Sequence, residues 1–391
     1  MTKKSKKKPM SRTLIMHIGL PKTGTTMIQE FLKHNHEKFD KNGIGALSVD
    51  GQGTHAFLGN YLNELDGNII QSKGYLTGYS SMSNYYPVWS NQSTYIISSE
   101  DMQKLGDRGV LSVLKYAQGA NATIKVALTL RRPSEFIFSN WCQFIKSKYI
   151  DWISFVEESV ESKVGFLSVS LRHWLAKNLV SSIVIVKHEK VNFLNNFLQR
   201  IGIGQFIPLD DSTSPFINVT SSMVEALYQA ALVKEISHVL ASNDRLDFLK
   251  YDIGYVQRIL LDIADNASPV FEIANKHEDA TLKDEAVLGY DSYESLSRYT
   301  KAWADDAKQF LQEAKPWLDV ESIKIINQLV NESLVDAKQF INNTENFRKL
   351  PQKDFVELLP IDSQFIGLSR TLATSILLGN RSFNNISQNN D

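Results

Sequence analysis

Apolar residues come in short runs through the first half of the chain, and longer amphipathic stretches separate them. Thr13–Ile18 reads as a strand buried on both faces. Thr25–His34 follows as a helix, with Met27, Ile28, Phe31 and Leu32 on one face. Thr94–Ser98, Ile124–Leu130 and Ile183–Val186 are three further strand-like runs. Pro133 opens a helix that runs to about Lys146, with proline in the first turn where its missing N–H does no harm. A helix carrying Leu171, Trp174 and Leu175 precedes the fourth strand. Residues 42–90 are rich in Gly, Ser, Asn and Tyr, have weak periodicity and read as loop. Strands alternating with helices predict an α/β fold: a three-layer, P-loop-like parallel sheet with helices on both faces.

Beyond about residue 219 the pattern becomes helical. Ser221–Ala241, Leu246–Ala264, Tyr293–Lys315 and Val320–Phe340 carry helical periodicity, and Pro316 stops the third of them. The expected division is a basic tail over 1–11, an α/β core over 12–206 and a helical region over 207–391 that packs on the core or follows it.

Composition narrows this picture a little. Of 391 residues, 43% are hydrophobic and 22% charged, as in ordinary globular proteins. A net charge of −1 offers no argument for nucleic acid as a partner. Cys142 is the single cysteine, so no disulfide forms within one chain, and a reducing, cytoplasmic compartment is expected. The lysine-rich start lacks the apolar stretch of a signal peptide, and no run reaches the roughly 20 apolar residues of a membrane span.

The candidate chemistry begins directly after the first strand. Gly19-Leu20-Pro21-Lys22-Thr23-Gly24-Thr25-Thr26 joins strand to helix, a layout that turns backbone N–H groups and a helix N-terminus toward an anion. The two glycines have the spacing of a nucleoside-triphosphate loop, but Thr25 stands where that loop carries lysine. The lysine is Lys22, in mid-loop. This arrangement keeps phosphate binding and argues against ATP or GTP chemistry.

Pro21-Lys22-Thr23-Gly24-Thr25-Thr26 resembles the 5′-phosphosulfate loop of sulfotransferases that use 3′-phosphoadenosine 5′-phosphosulfate (PAPS). The family has a second element about a hundred residues later, an Arg-x-Pro with a serine eight positions after the arginine, which binds the donor's 3′-phosphate. Arg131-Arg132-Pro133 and Ser139 match it, although Arg132 stands where the family often has an acid. Trp141 takes the place of a common family tyrosine. A third, looser match is Trp174 followed by Ile183–Glu189, where His188 replaces an aromatic and Glu189 reads as structural. The resemblance covers about residues 12–206; Asn218–Ser221 is a faint echo beyond it.

The resemblance implies PAPS as co-substrate, no metal, and a hydroxyl-bearing acceptor, with a glycan as the expected class and a small alcohol or lipid head group as alternatives. Pro21, Lys22, Thr23, Gly24, Thr25, Thr26, Arg131 and Ser139 would bind the donor, and Lys22 would neutralise charge on the leaving phosphate. The acceptor must lose a proton. Glu100, just after the second predicted strand, is one candidate base; it also reads as an idle helix N-terminal acid. His55 is the other candidate, as base or substrate contact. His17 reads as structural. Two other classes remain open: a P-loop-like nucleotide kinase, and a nucleotide-binding protein of this fold without turnover. Oligomeric state is left open.

Overall fold

A computed structural model describes residues 12–48, 51, 54–66, 86, 88–144, 150, 152–175, 180–189, 191–206 and 290–343. Its five strands are β1 (Arg12–Gly19), β2 (Ile44–Gly45), β3 (Thr94–Ser99), β4 (Ala122–Leu130) and β5 (Val180–Lys187). All pair in parallel, in the order β2-β3-β1-β4-β5. The helices of the first half are α1 (Thr25–His34), α2 (His36–Lys41), α3 (Ala56–Leu65), α4 (Asp107–Gly119), α5 (Pro133–Phe144), α6 (Trp152–Glu161), α7 (Leu167–Leu175) and α8 (Phe193–Ile201). Among the described residues two long helices follow, α9 (Tyr290–Ala314) and α10 (Val320–Asn343). The α/β fold read from the sequence is therefore present, with a helical C-terminal part.

The chain forms two compact units. The first draws on Met1–Phe136, Lys163–Asn218 and Thr300–Leu334; the second draws on Ile137–Ser162, Val219–Tyr299 and Val335–Asp391. The sheet lies in the first unit. Leu14, Ile15, Met16 and Ile18 of β1 are all buried, so both faces of the central strand are covered. Ile15, Ile96, Ala127 and Val184 share one apolar cluster with Ile28, Phe31 and Leu32 of α1, Phe39 of α2, and Phe197 and Leu198 of α8. Outside that cluster, α4 packs against β4 and buries Val110, Val113 and Leu114. A strand buried on both faces needs apolar residues at every position, which is why these strands read as continuous runs.

Part of the C-terminal region belongs to this sheet unit. Trp303 Nε1 donates to the Gly165 carbonyl at 3.1 Å, and Ser168 donates its backbone N–H to Asp306 at 3.1 Å. Leu318 bridges Ile183 in parallel, and the Ile185 N–H donates to Ser322 Oγ at 2.8 Å. The last two contacts pair Ile183 and Ile185 on the outer edge of β5, where backbone groups would otherwise be left unpaired.

Glu332 of α10 pairs with Lys187 at 3.0 Å and with Arg132 at 3.2 Å. Burial acts to raise its pKa, but Lys187, Gln328 and Arg132 together outweigh it and hold the carboxyl below its ordinary range. A depressed carboxyl contributes stability above its unfolded pKa and loses it as pH falls through the folded value. Glu332→Gln is therefore expected to cost about 0.5–1 kcal/mol at pH 7, the modest figure that solvent screening allows. The cost should vanish in strong acid, read as urea midpoints across pH.

In the second unit, Trp141 and Trp152 meet edge to face at 5.5 Å, and Trp141 Nε1 donates to the Ile150 carbonyl at 3.0 Å. Cys142 is buried there.

Several elements differ from expectation. Residues 42–90 hold β2 and α3, hidden because β2 is only two residues long and α3 is short and weakly amphipathic. Helices α2, α4, α6 and α8 are also additional to the elements that the sequence predicts. α9 ends at Ala314, where Lys315–Trp317 tightens into a 3-10 turn around Pro316. The tail over 1–11, the stretches Ser221–Ala241 and Leu246–Ala264, and Asn218–Ser221 lie outside the described residues.

Candidate anion site at the sheet's carboxyl edge

The strand order places a topological switch at β1. The chain leaves β1 toward β2 on one side, while β4 leads to β5 on the other. In open α/β sheets ligands bind beyond the carboxyl ends of the strands at such a point. The loop after β1 and Arg131 after β4 both lie there.

The loop is held in an unusual shape. Lys22 has φ +61° and Gly24 has φ +87°, both in the left-handed region. A non-glycine residue there carries strain, and such strain persists where surrounding contacts impose it. Those contacts come from Thr23, which is fully buried. Its hydroxyl donates to the Leu20 carbonyl at 2.7 Å, so the 2.7 Å bond to Thr129 must have the Thr129 hydroxyl as donor. That bond ties the loop to β4. A β-carbon on Gly24 would run into the Phe193 ring and lie 3.0 Å from His188 Cδ2, so only glycine lets the loop approach α8. Gly24 stands at the N-cap of α1 and offers the first turn of the helix no side-chain hydrogen bond.

Glu100 opens a 3-10 turn (Glu100–Lys104) directly after β3, the strand beside β1. It is half-buried, and burial raises its pKa above the usual carboxylate range. The Lys22 charge and a hydrogen bond from Thr25 act downward, and Asp101 acts upward. The structure thus brings three sequence-selected residues, Lys22, Thr25 and Glu100, into one electrostatic group.

Arg131 follows β4 and pairs with Glu135 at 3.0 Å. Arg132, its neighbour, is bound to Glu332 of α10 at 3.2 Å and is more exposed, at 45% against 15%. Of the two arginines, Arg131 is the more buried, and Arg132 is the one engaged by α10. Ser139 is buried on α5, and its Oγ has no hydrogen-bond partner among the described residues. Ser139 belongs to the second unit.

His55 is placed differently from Glu100. It is 1% exposed, and its Nδ1 accepts from the Ser98 N–H at 3.2 Å. With Nδ1 accepting, the neutral ring carries its proton on Nε2. The geometry makes it a group of the β3 edge rather than a base open to an acceptor. His17 is fully buried, its pKa pushed down to about 3 by burial, and its Nδ1 shares a 2.8 Å hydrogen bond with Ser98 Oγ.

His188, which stands in place of a family aromatic in the third match, also lies at this edge. It donates its backbone N–H to the Leu130 carbonyl at 2.6 Å, and its ring lies 4.8 Å from Phe193. Burial first, then the Arg131 charge, push its pKa down to about 4, so it is neutral at pH 7. Its position immediately after a predicted strand sets it at the same edge as Lys22 and Arg131.

Taken as chemistry, this edge offers a cation on a pinned loop, a helix N-terminus with no side-chain cap, a second cation at the next strand and a carboxyl of raised basicity. That set suits an anionic group-transfer donor and a proton acceptor. Comparisons with protein-family models, curated proteins and solved structures found no significant match to this chain. Among the described residues no helix is long and apolar enough to cross a membrane.

Proposed function

We propose that this protein is a PAPS-dependent sulfotransferase that moves the sulfuryl group to a hydroxyl of a carbohydrate. The observation that carries the reading is the grouping of Lys22, Thr25 and Glu100 at a strained loop that opens a helix with no side-chain cap. The donor set fits the co-substrate. Lys22 and the first N–H groups of α1 would hold the 5′-phosphosulfate, and the family resemblance assigns the 3′-phosphate to Arg131.

In the reaction the acceptor oxygen bonds to sulfur as the bond from sulfur to the bridging oxygen breaks. The electron pair leaves with 3′-phosphoadenosine 5′-phosphate, and the acceptor proton passes to Glu100. Negative charge grows on the bridging oxygen, where an ammonium and fixed N–H dipoles stabilise it more than in the ground state. A raised carboxyl pKa makes Glu100 a better base than an ordinary surface acid. The polar residues of 42–90 and the glutamate support a glycan acceptor. Lysine at position 22 in place of 25 disfavours the nucleotide-kinase reading.

The direct test is titration calorimetry. 3′-Phosphoadenosine 5′-phosphate should bind without magnesium, and ATP with magnesium should not compete. Arg131→Ala should weaken that binding about 10- to 100-fold, the worth of a charge-assisted hydrogen bond, with little change in urea midpoint. Unchanged affinity in the variant would refute the 3′-phosphate assignment. Magnesium-dependent ATP binding would refute the class.

A further inference from the structure

β2 is two residues long and pairs only with Thr94 and Tyr95 of β3. Beyond Tyr95 no strand among the described residues lies beside that edge of β3, yet the backbone groups of Ser98 on that side are satisfied. His55 supplies both partners. Its backbone N–H donates to the Ser98 carbonyl at 2.8 Å, and its ring Nδ1 accepts the Ser98 N–H at 3.2 Å. One residue at the start of α3 thus does the work of a neighbouring strand, as Ser322 does for Ile185 at the other edge of the sheet.

The other face of Ser98 is held from β1. His17 stands opposite Ser98 in the parallel register, and its Nδ1 shares a 2.8 Å hydrogen bond with Ser98 Oγ. The His17 ring packs edge-on against Phe197 at 4.9 Å, and its Nε2 is buried with no hydrogen-bond partner among the described residues. Gln29 Nε2 adds a longer contact, 3.4 Å, to the Ser98 carbonyl. Ser98 is completely buried. Two residues later the chain reaches Glu100, whose surroundings are Lys22 and Thr25 on the loop and Asp101 beside it. Ser99 Oγ then accepts the Asp101 N–H at 3.2 Å and starts the turn.

A buried donor and acceptor on a sheet edge is costly unless paired, and a histidine ring is a rigid acceptor with a fixed reach. A loop residue chosen only to cap the edge need not present a ring acceptor and a backbone donor to the same residue.

We propose that His55, with His17, is a positioning residue that fixes Ser98 and thereby sets where the Glu100 carboxyl stands relative to Lys22. The inference rests on the sulfotransferase reading for its catalytic consequence, and on the β3 geometry alone for its structural one. His55 acts through Ser98; it does not touch the reacting atoms.

Three full-length variants test it. His55→Ala removes the ring acceptor. His55→Asn keeps an acceptor close to where Nδ1 stood. Ser98→Ala removes only the bond to His17. Two readouts are taken: turnover of PAPS with a panel of neutral oligosaccharides, and the titration midpoint of the Glu100 carboxyl by carbon-13 NMR, identified by its absence in Glu100→Gln. His55→Ala should lower kcat about 10- to 100-fold, as a small misplacement of a reacting group does. Its affinity for 3′-phosphoadenosine 5′-phosphate should stay unchanged, and the Glu100 midpoint should move. His55→Asn should restore both, and Ser98→Ala should shift the midpoint in the same sense by less. A Glu100 midpoint equal to wild type in both His55→Ala and Ser98→Ala overturns the proposal. So does a His55→Asn protein as impaired as His55→Ala. If His55→Ala does not fold, the Asn and Ser98 variants still decide it. If wild type transfers no sulfuryl group, the proposed function fails while the carboxyl titrations still judge the positioning role.

Discussion

Lys22→Ala is expected to lower sulfuryl transfer by about 10²- to 10³-fold, the usual loss when a charge-stabilising group is removed from a developing oxyanion. The expectation rests on where the lysine stands. It occupies a left-handed position in a loop pinned by Thr23 to both Leu20 and Thr129, so its ammonium starts from a fixed anchor. Alanine at the same φ keeps a β-carbon and therefore neither relieves nor adds much backbone strain. The urea midpoint should move little, and near-UV circular dichroism should be retained. Transfer would be followed by mass spectrometry on the best acceptor of an oligosaccharide panel. Wild-type turnover in this variant would remove Lys22 from the mechanism.

Glu100→Gln is expected to lower kcat by about 10²- to 10⁴-fold, the contribution of a well-placed general base. Glutamine preserves shape and can still accept the Thr25 hydrogen bond, so the change isolates the proton-accepting role. Two pH effects accompany it. In wild type kcat should rise with pH through a midpoint above the ordinary glutamate range, because burial raises this carboxyl. That limb should be missing from the residual activity of the variant. The stability effect has the opposite sense to that of Glu332. A carboxyl whose pKa is raised in the fold binds its proton more tightly there than in the unfolded chain, so its contribution is fully present below the unfolded pKa. It is lost as pH rises through the folded value. Glu100→Gln should therefore be more heat-stable than wild type at pH 7, with the gain fading in acid. A variant less stable at pH 7 and unaltered in turnover would leave Glu100 a mere turn-forming acid. A base that destabilises its own fold at working pH is a usual trait of functional sites.

Much of the fold and about half of the site were legible in the amino-acid order. β1, β3, β4 and β5 lie close to their predicted spans, because strands buried on both faces are continuous apolar runs. α1 occupies Thr25–His34, the predicted span, because its apolar positions repeat with a helical period. The elements that stayed hidden are those whose existence depends on neighbours. β2 is two residues of edge pairing. α3 begins at a residue whose meaning, closing the edge of β3, exists only once β3 has an open edge. α10 docks through Ser322 and Glu332, two polar residues that look like ordinary exposed positions until Ile185, Lys187 and Arg132 face them.

The loop from Gly19 to Thr26, its displaced lysine and the Arg131–Ser139 spacing were written locally, since a strand, a turn and a helix N-terminus are set by residues a few positions apart. Whether Glu100 or His55 stood nearer that loop was not local. The two lie 45 positions apart, and their roles follow from the strand order β2-β3-β1-β4-β5. That order sets β3 beside β1, brings Glu100 under the charge of Lys22, and turns His55 toward the backbone of Ser98. Local sequence carries the chemistry of each group; the long-range pairing of parallel strands decides which groups meet.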